Sequence, residues 1–181
     1  MSEHQFAIMG GSVWGNRGAE AMLMTVIAEV RKADPEAVFN VYTIYPEKDK
    51  TLVQDPKICF LSGEPLSVAL VHFPFALLAA PFRLLKIKIP LPESIKKLRE
   101  SDFLLDIGGI TFSDGRAFQL LYNVFTIWPA ILLGVPVIKL SQAMGPFEQG
   151  LNRKLASHFL PKCHKIYTRG SMSDNYTSQL V

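Results

Sequence analysis

Four short segments hold the residue types and spacings that could do chemistry. The first, GGSVWGNRG, has glycines at 10, 11, 15 and 18 and offers Asn16, Arg17 and the nearby Glu20 to a polar ligand. Glycines let a backbone turn tightly and approach a ligand, but they are also ordinary turn chemistry. The spacing is not the GxGxxG of a dinucleotide fingerprint, and no GK[ST] follows, so nucleotide binding does not follow from it. The second segment, DIGGITFSDGR, carries Asp106, Gly108, Gly109 and Asp114. Paired carboxylates suit hydroxyl deprotonation, because burial can raise one pKa and make that group a base or an acid. The structural alternatives are that Asp114-Gly115 is a plain turn and that Asp106 caps a backbone N–H. As a general base, Asp114 mutated to Asn would lower turnover more than stability.

The third segment, SQAMGPF, places Gln142 where its amide would pair with a hydroxyl, and Gly145 and Pro146 set the turn. In the fourth, TRGSMS, Arg169 is suited to clamping a phosphate or carboxylate, while Ser171 or Ser173 would bind ligand or cap a helix. His4, His72, His158 and His164 match no triad or metal spacing, and Cys59 and Cys163 form no CxxC or Cys/His set. The sequence therefore implies no metal and no disulfide framework.

These segments need a scaffold that brings them to one edge. Phe6 to Met9, Val38 to Tyr45, Lys57 to Leu61, Phe103 to Ile107, Pro136 to Leu140 and Ile166 to Thr168 read as strands. Helical patterns alternate with them: one carrying Leu23, Val26, Ile27 and Val30, then Glu93 to Ser101, Ala117 to Leu133, Leu151 to Leu160, and one from Ser171 onward. The expectation is one doubly wound, Rossmann-like α/β domain over residues 1–181, a parallel sheet covered on both faces. Asn16, Asp114, Gln142 and Arg169 all follow strands, so they belong at the carboxyl edge where such folds bind ligands.

Composition bounds the function. The chain has 181 residues, 49% hydrophobic and 19% charged, and a formal charge of +3. A domain of this size buries roughly 70% of its unfolded surface and folds without staples. So small a net charge argues for no nucleic-acid partner. The start of the chain shows no signal peptide, and a cytoplasmic protein is expected. The most apolar stretch, Leu66 to Phe82, contains His72, Pro74 and Pro81 and falls short of the roughly 20 uninterrupted apolar residues of a bilayer span. Arg83, Lys86 and Lys88 follow it, interleaved with Leu84, Leu85, Ile87 and Ile89. The favoured reading is a buried helix with a solvated basic end, and the alternative is peripheral contact with the inner membrane face.

Taken together, GNRGAEAML, DIGGITFSD, PVIKLSQAMGPF and IYTRGSMS resemble the polysaccharide pyruvyl transferase family in order and interval, over nearly the whole chain. The resemblance implies a two-domain, GT-B-like enzyme that moves a pyruvyl group from phosphoenolpyruvate, its donor substrate, to sugar hydroxyls as a ketal, with no cofactor. It implies a saccharide or lipid-linked oligosaccharide acceptor, Asp114 and Asp106 as base, and Arg17 and Arg169 as cationic contacts. Asn16 and Gln142 would be hydroxyl partners. Two positions depart from the pattern: Gly170 stands where relatives often carry an acid, and Ile110 where many carry Asp. By this resemblance the chain is an amino-terminal half, inactive alone, whose uncovered surface would favour self-association. A nucleotide-sugar glycosyltransferase of the same architecture and a non-catalytic glycan-binding module are the competing readings.

Overall fold

Short apolar strands separated by helices can pair as neighbours running the same way only through crossover connections. That is the arrangement in the computed structural model, which describes residues 4–84 and 89–180. Among the described residues, strands β1 (Gln5–Met9), β2 (Val38–Thr43), β3 (Ile58–Ser62), β4 (Phe103–Asp106), β5 (Val137–Gln142) and β6 (Lys165–Thr168) form one sheet in the order β3-β2-β1-β4-β5-β6. Every pairing is parallel. The chain is thus a doubly wound α/β fold with its topological switch point between β1 and β4, where successive connections leave for opposite faces.

The helices are α1 (Arg17–Ala33), α2 (Pro46–Leu52), α3 (Pro65–Ser67), α4 (Phe73–Leu84), α5 (Glu93–Glu100), α6 (Ala117–Leu133), α7 (Gly150–Phe159) and α8 (Ser171–Thr177). Strand residues alternate between the two layers they bury. Ile8, Phe39, Val41, Leu105 and Ile107 pack with Leu23 and Ile27 of α1. Ala7, Met9, Tyr42, Leu104 and Val137 face the larger core that includes Ile95 and Leu98 of α5 and Leu120, Val124 and Ile127 of α6.

Two elements differ from expectation. Pro46 opens α2, a helix absent from the expected set, at a position where its missing N–H costs nothing. Between α3 and α4 the chain is helical without a break, through a π turn at Val68–His72 in which Phe73 N–H donates to Val68 O. A widened turn relieves the pressure of the Pro74 ring on the carbonyl four residues earlier, so the proline is accommodated. This stretch is also less buried than the favoured reading supposed, with 22% of its most apolar 18 residues inside the fold. Segment 85–88, with Lys86 and Lys88, and the first three residues lie outside the described residues.

Candidate functional site

The loops leaving β1 and β4 meet backbone to backbone at the switch point. Gly10 has φ +87°, and a Cβ there would fall 2.5 Å from Gly108 N, so only glycine lets the loops close on each other. The close approach that glycine permits here is loop to loop. The β1–α1 loop is then fixed from below by Asp49 of α2, a fully buried carboxylate. Its Oδ1 accepts from Val13 N–H (3.1 Å), Trp14 N–H (2.7 Å) and Ser12 Oγ (3.3 Å), and its Oδ2 accepts from Thr43 Oγ1 at 2.6 Å. Trp14 meets Tyr45 edge to face at 4.8 Å between ring centroids, with Lys48 Nζ 3.4 Å from the Trp14 ring centroid. A cavity of about 490 Å³ opens beside them, lined by Gly10, Gly11, Trp14, Asn16, Tyr45 and Tyr122 among others.

Asn16 caps α1, its Oδ1 accepting from Gly18 N–H (3.0 Å) and Ala19 N–H (3.2 Å). Arg17 and Glu20 pair across one turn at 2.9 Å, with Arg17 almost wholly in solvent. All three border a second cavity, of about 520 Å³, on the other side of the Trp14 loop.

The β4–α6 loop rests on a buried ionic network. Lys139 stands beside Asp106 in the strand register and donates to its Oδ2 at 2.5 Å, both groups being buried. Asp106 Oδ1 accepts from Gly108 N–H at 3.1 Å, as the capping alternative required. Gln142 is also fully buried. Its amide donates to Asp106 O at 2.8 Å and accepts from Thr111 Oγ1 at 2.6 Å. In this geometry Asp106 and Gln142 shape the diglycine turn and do not reach the open edge. Beyond it, the loop runs alongside the extension of β5: Thr111 N–H donates to Ala143 O and Ala143 N–H to Gly109 O, both at 3.0 Å. Two non-glycine residues here hold left-handed backbone, Phe112 at φ 48° and Ser141 at φ 51°. Such conformations persist only where the surroundings over-determine them, and they concentrate at functional sites.

Arg169 crosses this edge. Its Nε donates to Ser141 O at 3.0 Å, and its Nη2 lies 3.3 Å from Met22 Sδ of α1. The same nitrogen and Met22 Cε cover Gly109, each 3.8 Å from where a Cβ would stand. The guanidinium therefore bridges α1 and β5 directly above the switch point.

Asp114 stands apart from Asp106 in its bonding. It accepts from Asn152 Nδ2 (2.7 Å), Glu148 N–H (2.8 Å) and Gln149 N–H (3.1 Å), tying the start of α6 to the start of α7. Burial alone would raise its carboxyl, but these three donors outweigh it and hold the pKa below the ordinary carboxylate value, opposite to the raised value a buried base would have. Ser173 is buried and accepts from Met144 N–H at 3.1 Å. It does not cap α8, whose N-cap is Gly170 with no side-chain bond. Gly145, at φ +83°, leaves room for the Tyr176 ring, which a Cβ would meet at 2.6 Å. Every strand being parallel, Asn16, Asp114, Gln142 and Arg169 all lie toward the carboxyl edge. The structure joins Asp106, Gly108 and Gln142 in one network and sets Arg169 over Gly109. Asp114 goes with α7, and Ser173 and Gly145 go with α8.

Asp49, Lys139, Thr111 and Asn152 were absent from the sequence-derived set. Lys139 had a signal: a lone cation inside an apolar strand needs a buried partner, and Asp106 is the lone acid in the neighbouring strand. Asp49 had none, since among the lysines and the glutamate of PEKDKTL it looks like any solvated acid.

Comparison with curated proteins and with solved structures finds no match. A family model described as polysaccharide pyruvyl transferase matches residues 16–176, which takes in the end of the first segment from the Asn16 cap and the other three segments whole, through the Arg169 edge to α8. The chain belongs to the polysaccharide pyruvyl transferase family.

Proposed function

We propose that the chain serves transfer of a pyruvyl group from phosphoenolpyruvate to two hydroxyls of a sugar in a cell-surface polysaccharide precursor. Family membership supports the transferase class. The observation that carries the finer reading is the placement of Arg169, held through Nε by Ser141 O with its outer nitrogen over Gly109. A guanidinium oriented by a fixed backbone acceptor is preorganised for a planar or tetrahedral anion on its remaining donors.

In this reaction the methylene carbon of phosphoenolpyruvate gains a proton, one sugar hydroxyl attacks C2, the C2–O bond to phosphate breaks, and the second hydroxyl closes the ketal. Of the two hydrogens the diol loses, one balances the new methyl group and the other leaves with phosphate. In this reading Arg169 receives the donor's anionic groups, Gly109 lines their approach, and the cavity beside Trp14, Asn16 and Tyr45 takes the sugar, while Arg17 and Glu20 face the second cavity. Asp106, Gly108, Gln142, Gly145 and Ser173 hold the loops in place, and Asp114, with its lowered pKa, is a positioning residue. The base and the proton donor then come from a facing wall, as in a two-domain enzyme working at the cytoplasmic membrane face on a lipid-linked acceptor. The chain alone binds the donor without turning it over.

Titration calorimetry with phosphoenolpyruvate tests the reading. Arg169→Ala weakens binding by about tenfold or more, the worth of a charge-assisted hydrogen bond, while the unfolding midpoint is unchanged. Equal affinity of the two proteins sinks it. Acceptor-dependent phosphate release by the 181-residue chain, above a heat-killed control, would overturn the need for a second wall.

A further inference from the structure

The helical stretch Pro65–Arg83 is long and apolar enough to cross a bilayer, yet it is built into the fold along one side. Val68, His72, Ala76 and Ala79, spaced at helical intervals, are buried against the sheet and α6. Removing that stripe into lipid would dismantle the larger core, so the stretch cannot span. The opposite stripe is bare: Leu66 and Leu70, with Phe118 of α6 beside them, are between 69 and 72% exposed, and Leu77, Leu78 and Leu121 are about half exposed. Scattered exposed leucines are ordinary, but a continuous apolar face on two adjacent helices is not.

One acid borders this face, the exposed Glu64 that precedes α3, and the stretch that follows it carries only cations. From Pro65 to Pro92 the sequence contains no Asp or Glu, and its cations are Arg83, Lys86 and Lys88. Arg83 is exposed where α4 ends, and Arg116 is exposed where α6 begins. An apolar face with an exposed arginine at the end of α4 and another at the start of α6, outnumbering the lone Glu64, complements a bilayer with anionic headgroups. The face also connects to the candidate site. A groove of about 310 Å³ between α3 and α6 is lined by Pro65, Leu66, Phe118, Leu121 and Tyr122, and Tyr122 lines the Trp14 cavity as well.

We infer that this face docks on the surface of a bilayer containing anionic lipid, with the α3–α6 groove against the membrane and the Trp14 cavity at its edge. The docking does not depend on the pyruvyl reading; that reading adds only that a lipid-borne sugar would reach the cavity past Tyr122.

Vesicle flotation tests it without any substrate. The 181-residue chain floats with phosphatidylcholine vesicles containing phosphatidylglycerol, floats far less with phosphatidylcholine alone, and is partly released by high salt. Leu66→Glu with Phe118→Glu lowers the bound fraction about tenfold or more, since both an apolar contact and the sign of the charge are lost, and leaves the unfolding midpoint unchanged. Leu70→Gln with Leu77→Gln, a milder pair on the same stripe, lowers it in the same direction. Failure to float with anionic vesicles overturns the inference, as does full binding by both variants. A lipid-free dimer, seen by sedimentation and abolished by the same substitutions, would assign the face to a second copy and equally overturn it.

Discussion

Asp49 Oδ1 accepts the backbone N–H of Trp14 at 2.7 Å, so a carboxylate on α2 sets the position of an aromatic ring in the loop after β1. The same carboxylate holds Thr43, whose Oγ1 in turn accepts from Tyr45 N–H at 3.2 Å, so both aromatic residues of the pair depend on one buried acid. Asp49→Ala strands several buried donors at once and should cost about 3 kcal/mol. Asp49→Asn, which keeps an acceptor for the loop, should cost less. Urea unfolding measures both, and a change in Trp14 fluorescence, read in a Trp128→Phe background, reports the loosened loop. An Ala variant as stable as the parent would remove Asp49 from this role.

The Asp106–Lys139 pair predicts strong non-additivity. Removing one partner leaves the other charge buried and alone, which costs about 3–5 kcal/mol. Lys139→Met and Asp106→Asn should therefore each destabilise severely, and the double variant should be far less unstable than their sum. The cycle is measured by denaturant unfolding, and simple additivity would show that the two groups do not compensate each other. The Asp106 variant should also loosen the diglycine turn, because Gly108 N–H loses its acceptor.

Much of this architecture was legible because it follows from local chemistry. The apolar runs at Phe6 and Phe103, the helix from Ala117 to Leu133 and the glycine at its left-handed C-cap all follow from pattern and turn residues, and the structure returns them nearly unchanged. The site was legible only as an edge. Gln142 looks like a ligand amide in sequence and is fully buried in the structure, because nothing local announces that Thr111 and the Asp106 carbonyl will take up both ends of it. The surroundings of Asp114 were illegible for the same reason: its partners, Asn152, Glu148 and Gln149, lie more than thirty residues away. The exposed stripe of Leu66, Leu70 and Leu77 was hidden by the opposite effect, since hydropathy reads the two sides of a helix alike.

His72 lies buried edge-on against Tyr42 at 5.4 Å, and neither ring nitrogen has a partner among the described residues. Burial lowers its pKa to about 4, so the ring is neutral in the fold and charges readily once unfolded. The unfolded state then binds the extra proton, and stability falls as pH drops from about 6.5 toward 4. His72→Phe removes both the titration and the unsatisfied nitrogens and should flatten that limb without lowering stability at neutral pH by more than about 1 kcal/mol. Urea midpoints across that range decide it. An equal slope in the variant would mean that another group titrates there.

Asp114 gives a separate acid limb. Its pKa is lowered in the fold, so its contribution is fully present above the ordinary carboxylate value of 3.8 and is lost as pH falls below that, through the lower folded value. Asp34 and Asp55, lowered by hydrogen bonds from His4 and Arg31, contribute in the same direction. The informative quantity is therefore the difference between the parent and Asp114→Asn. The variant sets an amide donor against Asn152 and two backbone donors, which should cost about 1–3 kcal/mol at neutral pH. That cost should shrink as the solution is acidified below pH 3.8, where the parent's own carboxyl is being protonated. A base would behave otherwise: turnover by an active assembly would collapse in Asp114→Asn while the stability difference stayed near zero at every pH. That pattern would restore Asp114 to the chemistry and overturn its reading as the tie between α6 and α7.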